Sequence, residues 1–383
     1  MNNSDRIPMI PHFTVTSRVQ MLSETLDYNH KMMNVPAMWK VSRGAGVKLV
    51  VLDTGLPKHV DLAPNVEQSK SFVPDYPLDL NGHSTHCAGI IAAIAGNGMG
   101  VAGIAPDIEL ICGAVLDADG SGTIDAIVDG IYWATDVVKA DIISMSLGID
   151  ASARLIPELK AACDYAYGKG VAIFAASGNE SGKVGQPAKY DSVFAVAAVN
   201  NKMEHARFSN MGDEVDFATG GVDVYSTYLN NSYAKLSGTS MATPALAAVG
   251  ALILSKHIKE GVKLTPEELR EHLKRIAFNT NGVGFDNTIG FGIPIFQNDG
   301  EAAPEPGTPA TPPVTPPVTP PVTPPRAKKS GPRADCAYWQ MVNEFLDATT
   351  KSITAGEPLD VAVTRGLINL QVKVRFINES LKL

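Results

Sequence analysis

Val47-Lys-Leu-Val-Val-Leu-Asp53 is an almost unbroken apolar run that ends on a carboxylate. Its hydrophobicity is continuous instead of alternating, the pattern of a strand buried on both faces of a parallel sheet. Four further stretches read the same way: 108–116, 141–147, 171–177 and 193–199. Helical patterns fall between and after them, at 83–95, 122–139 and 153–168. Strand–helix–strand repetition predicts an α/β fold, a parallel β-sheet flanked by helices on both faces. A late helix pair, 240–257 and 266–276, closes the domain.

Working outward, the chain divides into four parts: an N-terminal extension (1–29), this α/β domain (30–300), a Pro-rich linker (301–335) and a small C-terminal module (336–383). The linker contains TPPVTPPVTPPVTPP at 311–325. Proline fixes φ and removes backbone donors, so this repeat reads as a polyproline-II spacer. In the last module Leu367, Leu370, Val374, Ile377 and Leu381 are spaced 3,4,3,4. That spacing suits an amphipathic helix, although Leu370, Val372, Val374 and Phe376 also alternate as a strand does. A module this small has little core of its own. It is expected to pack on an unknown partner, on a copy of itself or on the main domain.

Of the 383 residues 45% are hydrophobic, enough for one large core, and 19% are charged with a net charge of −8. The acidic balance argues against nucleic acid or an anionic membrane as the partner. No apolar run reaches the ~18 residues of a membrane span. The start, MNNSDRIPMIPHF, lacks the basic-then-apolar pattern of a secretion leader. The cysteines Cys87, Cys112, Cys163 and Cys336 are scattered without metal-type spacing. A reducing, cytoplasmic location is the expectation.

Three motifs carry chemistry: LVVLDTGL (49–56), NGHSTHCAGIIAA (81–93) and SGTSMATPALA (237–247). They present a carboxylate at a strand end, a histidine at a helix start and a serine where a loop enters a helix. A serine hydroxyl needs a base to become a nucleophile; imidazole is that base, and a carboxylate fixes its tautomer. Asp53, His83 and Ser240, in that order, resemble the subtilase family of serine proteases, over residues 30–295 and nearest in layout to its intracellular members. The resemblance implies a serine endopeptidase acting on polypeptide substrates through an Asp-His-Ser triad and an acyl-enzyme. In AASGNE (175–180), it implies that Asn179 donates to the oxyanion. Gly120, Ser121 and Gly122, with Ser146, Leu147 and Gly148, resemble the cleft edges, and Gly185 the base of the P1 pocket.

The resemblance also implies a Ca²⁺ site: Asp61 of HVDL (59–62), the Asn97 side chain, and carbonyls of Ala95, Met99 and Val101. A further ligand falls near Glu24. Met9-Ile10-Pro11-His12 stands where intracellular members carry Leu-Ile-Pro-Tyr, and VPAMW (35–39) is similar to their APEMW. The N-terminal extension is therefore expected to lie across the active site as an inhibitor, making the chain a zymogen. Four positions depart from the family pattern: Ser84 replaces the glycine after the catalytic histidine, and Cys87 follows His86 as in the proteinase K-like branch. Thr219 replaces a proline, and Ala245 a histidine. The competing reading is a catalytically silent scaffold that serves as an interaction protein through its C-terminal module.

Overall fold

A computed structural model describes residues 6–10, 14–19, 23–64, 68–73, 78–282 and 284–297; the linker and the C-terminal module lie outside them. The chain opens with strands β1 (Ile7–Pro8) and β2 (Thr14–Val19) and short helices α1 (Tyr28–Met32) and α2 (Val35–Trp39). Then come β3 (Lys48–Asp53), β4 (Lys70–Ser71), α3 (His83–Ala92), β5 (Glu109–Ala114), β6 (Ser121–Gly122) and α4 (Ile124–Trp133). Next are β7 (Ile142–Met145), α5 (Pro157–Gly168), β8 (Ala172–Ala176), β9 (Val193–Val199) and β10 (Phe217–Gly220). The hairpin β11 (Val224–Tyr228) and β12 (Ser232–Ser237) leads into α6 (Thr239–Lys259) and α7 (Pro266–Ile276).

Seven strands form the central sheet in the order β10-β9-β8-β7-β3-β5-β4. Every neighbouring pair in it is parallel. Leu49, Val50, Val51 and Leu52 of β3 are all at most 1% exposed, so this strand is covered on both faces, as its apolar run predicts. Register and contacts assign the cover. Leu52 pairs with Gly113, and both meet α4 near Gly130 and Trp133. Ile142 and Phe174 pack on Gly250 of α6 from the opposite face.

Strand order reverses at β3: β5 lies on one side and β7 on the other. Ligand crevices in open α/β sheets form outside the carboxyl ends of strands at such a switch point. Asp53 is the last residue of β3. The sequence pattern placed the helices correctly but ran α3, α4 and α5 long. Residues 122–139 begin as β6, and Thr123 then caps α4 by accepting the Ala126 N–H. Pro157 at the first turn of α5 sets its start after 153, since proline fits where no N–H is needed.

α6 is, by length and composition alone, apolar enough to cross a membrane. It is a core helix: 83% of its most apolar window is buried inside the fold. Interrupting Ser, Thr and His residues kept it from standing out as one apolar run.

Candidate active site

The Asp53 carboxylate meets His83 Nδ1 with both oxygens, at 2.9 and 3.0 Å, and also accepts the Thr54 N–H at 2.7 Å. His83 opens α3, and the turn before it is built around a carboxylate that pattern reading missed. Asp79 Oδ1 accepts from the Thr54 hydroxyl and the Asn81 and Gly82 N–H groups; its Oδ2 accepts from the Thr85 N–H and hydroxyl. Five donors on one buried carboxylate fasten the β3 turn to the first turn of the histidine helix, where an acid also complements the helix dipole. The signal was an acid four residues ahead of His83, in Asp-Leu-Asn-Gly-His. Gly82 takes φ +95°, and a Cβ there would come within 2.6 Å of the Tyr228 ring, so only glycine makes this turn.

Ser84 hydrogen-bonds across the same junction. Its hydroxyl donates to the Gly55 carbonyl at 2.6 Å and its N–H to Thr54 Oγ1 at 3.1 Å. On the other side of α3, the hydroxyls of Ser226 and Thr227 donate to the carbonyls of His86 and Thr85. The hairpin β11–β12 is thereby joined to the helix that carries the histidine.

Ser240 sits in the first turn of α6, where backbone N–H groups have no intrahelical partner. Pro244, four residues on, has no N–H to give to the Ser240 carbonyl. That carbonyl instead accepts from the Ser146 hydroxyl at 2.8 Å and from Cys87 Sγ at 3.5 Å. The Ser240 hydroxyl is directed to the Ser146 carbonyl at 3.3 Å. Ser146 thus holds the serine from two sides. Burial, and then the neighbouring Asp53, push the Cys87 thiol well above its ordinary range, so it acts as a weak neutral donor.

Asn179 follows β8, and its side-chain oxygen accepts from both the N–H and the hydroxyl of Thr239, at 2.9 and 2.8 Å. With the oxygen committed there, the amide NH₂ is the end directed away from Thr239. Glu180, beside it, accepts from Asn210 Nδ2 at 2.7 Å. Gly185 donates to the Ser177 carbonyl at 3.1 Å, and a Cβ on it would strike within 2.5 Å of the Ile149 carbonyl.

The cleft edges Gly120–Gly122 and Ser146–Gly148 both contact the N-terminal segment. β1 pairs antiparallel with β6, Ile7 opposite Gly122 and Pro8 opposite Ser121. Met9 and Ile10 donate to the Gly120 carbonyl at 3.1 and 3.2 Å, and the Gly148 N–H reaches the Met9 carbonyl at 2.7 Å. Arg6 forms an ion pair with Asp117. Asp53, His83 and Ser240 are each 0% exposed, and Met9 is 1% exposed. Farther along, β2 adds to β12 as the third strand of the β11-β12-β2 sheet.

Asp61 is 0% exposed and lies in no ion pair among the described residues. Its oxygens accept from Asn97 Nδ2 at 2.5 Å, the Val101 N–H at 3.2 Å and the Tyr233 hydroxyl at 3.2 Å. Burial pushes its carboxyl up, with these hydrogen bonds pulling the other way. Glu24 joins the same loop, accepting from the Gly96 and Asn97 N–H groups. A buried carboxylate without a cation, beside an oxygen-bearing side chain, a second carboxylate and a glycine-rich loop, fits a hard divalent ion. The Asn97 oxygen here accepts the Met99 N–H, so ligation needs that side chain to turn. The backbone of Ala95, Met99 and Val101 brackets this loop.

Comparison with known proteins agrees with this architecture. The model of the Subtilase family matches residues 44–292. The chain is 44% identical over 245 residues to Subtilisin DY of Bacillus licheniformis, a match covering 62% of this chain and 85% of that protein. It is 40% identical over 233 residues to Thermitase of Thermoactinomyces vulgaris, covering 60% of this chain and 82% of the relative. It is 37% identical over 290 residues to M-protease of Shouchella clausii (strain KSM-K16), covering 75% and 73%.

Proposed function

Because the chain belongs to the subtilase family and is a serine endopeptidase, we propose that Ser240 is its nucleophile, with His83 as base and Asp53 as the residue that orients it. Ser240 Oγ adds to the scissile carbonyl as its proton passes to His83. Asp53 holds the Nδ1–H and stabilises the imidazolium that results. The Asn179 amide and the Ser240 N–H bind the oxyanion of the tetrahedral intermediate. His83 then returns the proton to the leaving amine, and water hydrolyses the acyl-enzyme by the same route in reverse. The observation that carries this reading is the paired Asp53–His83 contact, buried at the sheet's switch point, with Cys87 standing against that pair and reaching the Ser240 carbonyl at 3.5 Å.

The second part of the proposal is latency. Residues 6–10 bond to both cleft edges, and the three reacting residues are fully buried, so a polypeptide has no path to Ser240 until the extension leaves. Gly120–Gly122 and Ser146–Gly148 are then the edges that bind substrate by strand addition, with Leu147 and Gly185 lining the P1 pocket. Asp61, Asn97 and the carbonyls of Ala95, Met99 and Val101 would hold a Ca²⁺ ion, which would neutralise the buried carboxylate and brace the loop. Cys87, Cys112 and Cys163 are buried free thiols, which suits an intracellular processing or degradative role.

The test compares three proteins on one fluorogenic peptide: the full chain, the chain lacking residues 1–20, and that shortened chain carrying Ser240→Ala. The shortened chain is expected to show the higher initial rate and the Ser240→Ala form none. Equal initial rates for the first two would remove the latency reading while leaving the triad intact.

A further inference from the structure

We propose that the outer edge of β12 is a docking surface for the C-terminal side of a polypeptide substrate, which it binds by strand addition well beyond the scissile bond. This rests on the endopeptidase reading and extends it to the class of substrate.

The N-terminal segment traces the path. It enters along β6, passes the Gly148 N–H at Met9 and continues to β12, where Thr14 stands opposite Ser237. Ser237 is only three residues before Ser240. From Ile10 to Thr14 is four residue steps, at most ~14 Å of extended chain. The segment therefore lays its two described stretches against two elements that each meet Ser240, Ser146–Gly148 through the Ser146 hydrogen bonds and β12 by chain continuity. Its first half occupies the edges used by the acyl side of a substrate, so its second half lies on the leaving-group side.

That second half is the longer pairing. Five of the six residues of β2 stand opposite residues of β12, from Thr14 opposite Ser237 to Val19 opposite Tyr233, with one irregularity between Lys235 and Leu236. Among the described residues, β12 pairs with β11 on its inner side and with β2 on its outer side. When the extension leaves, β12 becomes an edge strand with unpaired N–H and C=O groups in direct continuation of the catalytic cleft. A peptide that adds to an edge draws its affinity from main-chain hydrogen bonds, so the surface accepts many sequences provided they are extended. The enzyme should therefore favour unfolded polypeptides that continue at least six residues past the cut over short peptides.

The experiment uses the chain lacking residues 1–19 and two internally quenched peptides with the same residues around the cleavage point. One ends two residues after the scissile bond and the other continues for eight. The long peptide is expected to have a KM about tenfold lower at similar kcat, as two or three net backbone hydrogen bonds supply. N-methylation is then placed singly along the added residues. The gain should vanish at some positions and persist at residues between them, because only N–H groups facing β12 contribute. Equal KM for the two peptides, or a gain indifferent to every N-methyl group, overturns the inference while cleavage of the short peptide upholds the endopeptidase reading. Failure to cleave either peptide overturns both.

Discussion

Ser240 carries a carbonyl that its own helix leaves without a donor, because proline stands four residues on. Ser146 supplies that donor, so Ser146→Ala should leave a buried carbonyl with only a thiol. The expected cost is about 1–3 kcal/mol of stability, read in urea unfolding, together with a lower kcat. Asn179 invites a cleaner kinetic test. With its oxygen held by Thr239, Asn179→Ala should lower kcat about 10²- to 10³-fold at nearly constant KM, the range known for the matching donor in subtilisin. An effect confined to KM would remove it from the oxyanion site. Motif reading reached these side chains because each lies in a short, distinctive string. It did not reach Asp79, whose string holds no distinctive motif and whose bond to Thr54 only the fold creates, or the Ser146–Ser240 interlock, whose partners are distant in sequence.

Elements with strong apolar periodicity were legible, and those defined by partners were not. The five long strands read directly from their runs, and each is found as a strand of the parallel sheet. β1 and β2 carry no such signal; they are strands because β6 and β12 offer them hydrogen bonds. The histidine helix depends on a similar tertiary device. Asp79→Ala removes five hydrogen bonds from the turn that joins β3 to α3. The loss should exceed about 3 kcal/mol, the scale of a broken buried network, and kcat should fall with it as His83 loses its register on Asp53. A variant with unchanged melting temperature and unchanged kcat would show that the turn stands without this carboxylate. The extension is held partly by charge, so Asp117→Asn should speed its release, seen as a shorter lag before full activity. Raised salt should shorten the same lag in the wild type, since the Arg6–Asp117 pair is partly exposed.

At the scale of the whole molecule, the fold depends on keeping several polar groups buried in one ionisation state. Burial holds His30 down to about 4 and His86 down to about 3, so both are neutral when folded. The unfolded chain takes up these protons below about pH 6.5, the ordinary histidine value. Their neutral state thus supports the fold above that pH, and stability is lost as pH falls from about 6.5 toward the depressed values. Melting temperature should be level above pH 7.5 and decline between 6.5 and 5, where most carboxylates stay ionised; His30→Leu should flatten part of that decline. A chelator should likewise lower the melting temperature if Asp61 and its loop hold Ca²⁺, and added Ca²⁺ should restore it. Both effects concern the frame around the reaction. The reaction itself is tested most directly by treating the chain lacking residues 1–20 with a fluorophosphonate and mapping the adduct by mass spectrometry. The adduct is predicted on Ser240, lost in Ser240→Ala and slowed in the full chain; an adduct elsewhere, or none on a folded shortened chain, would contradict the assignment of the nucleophile.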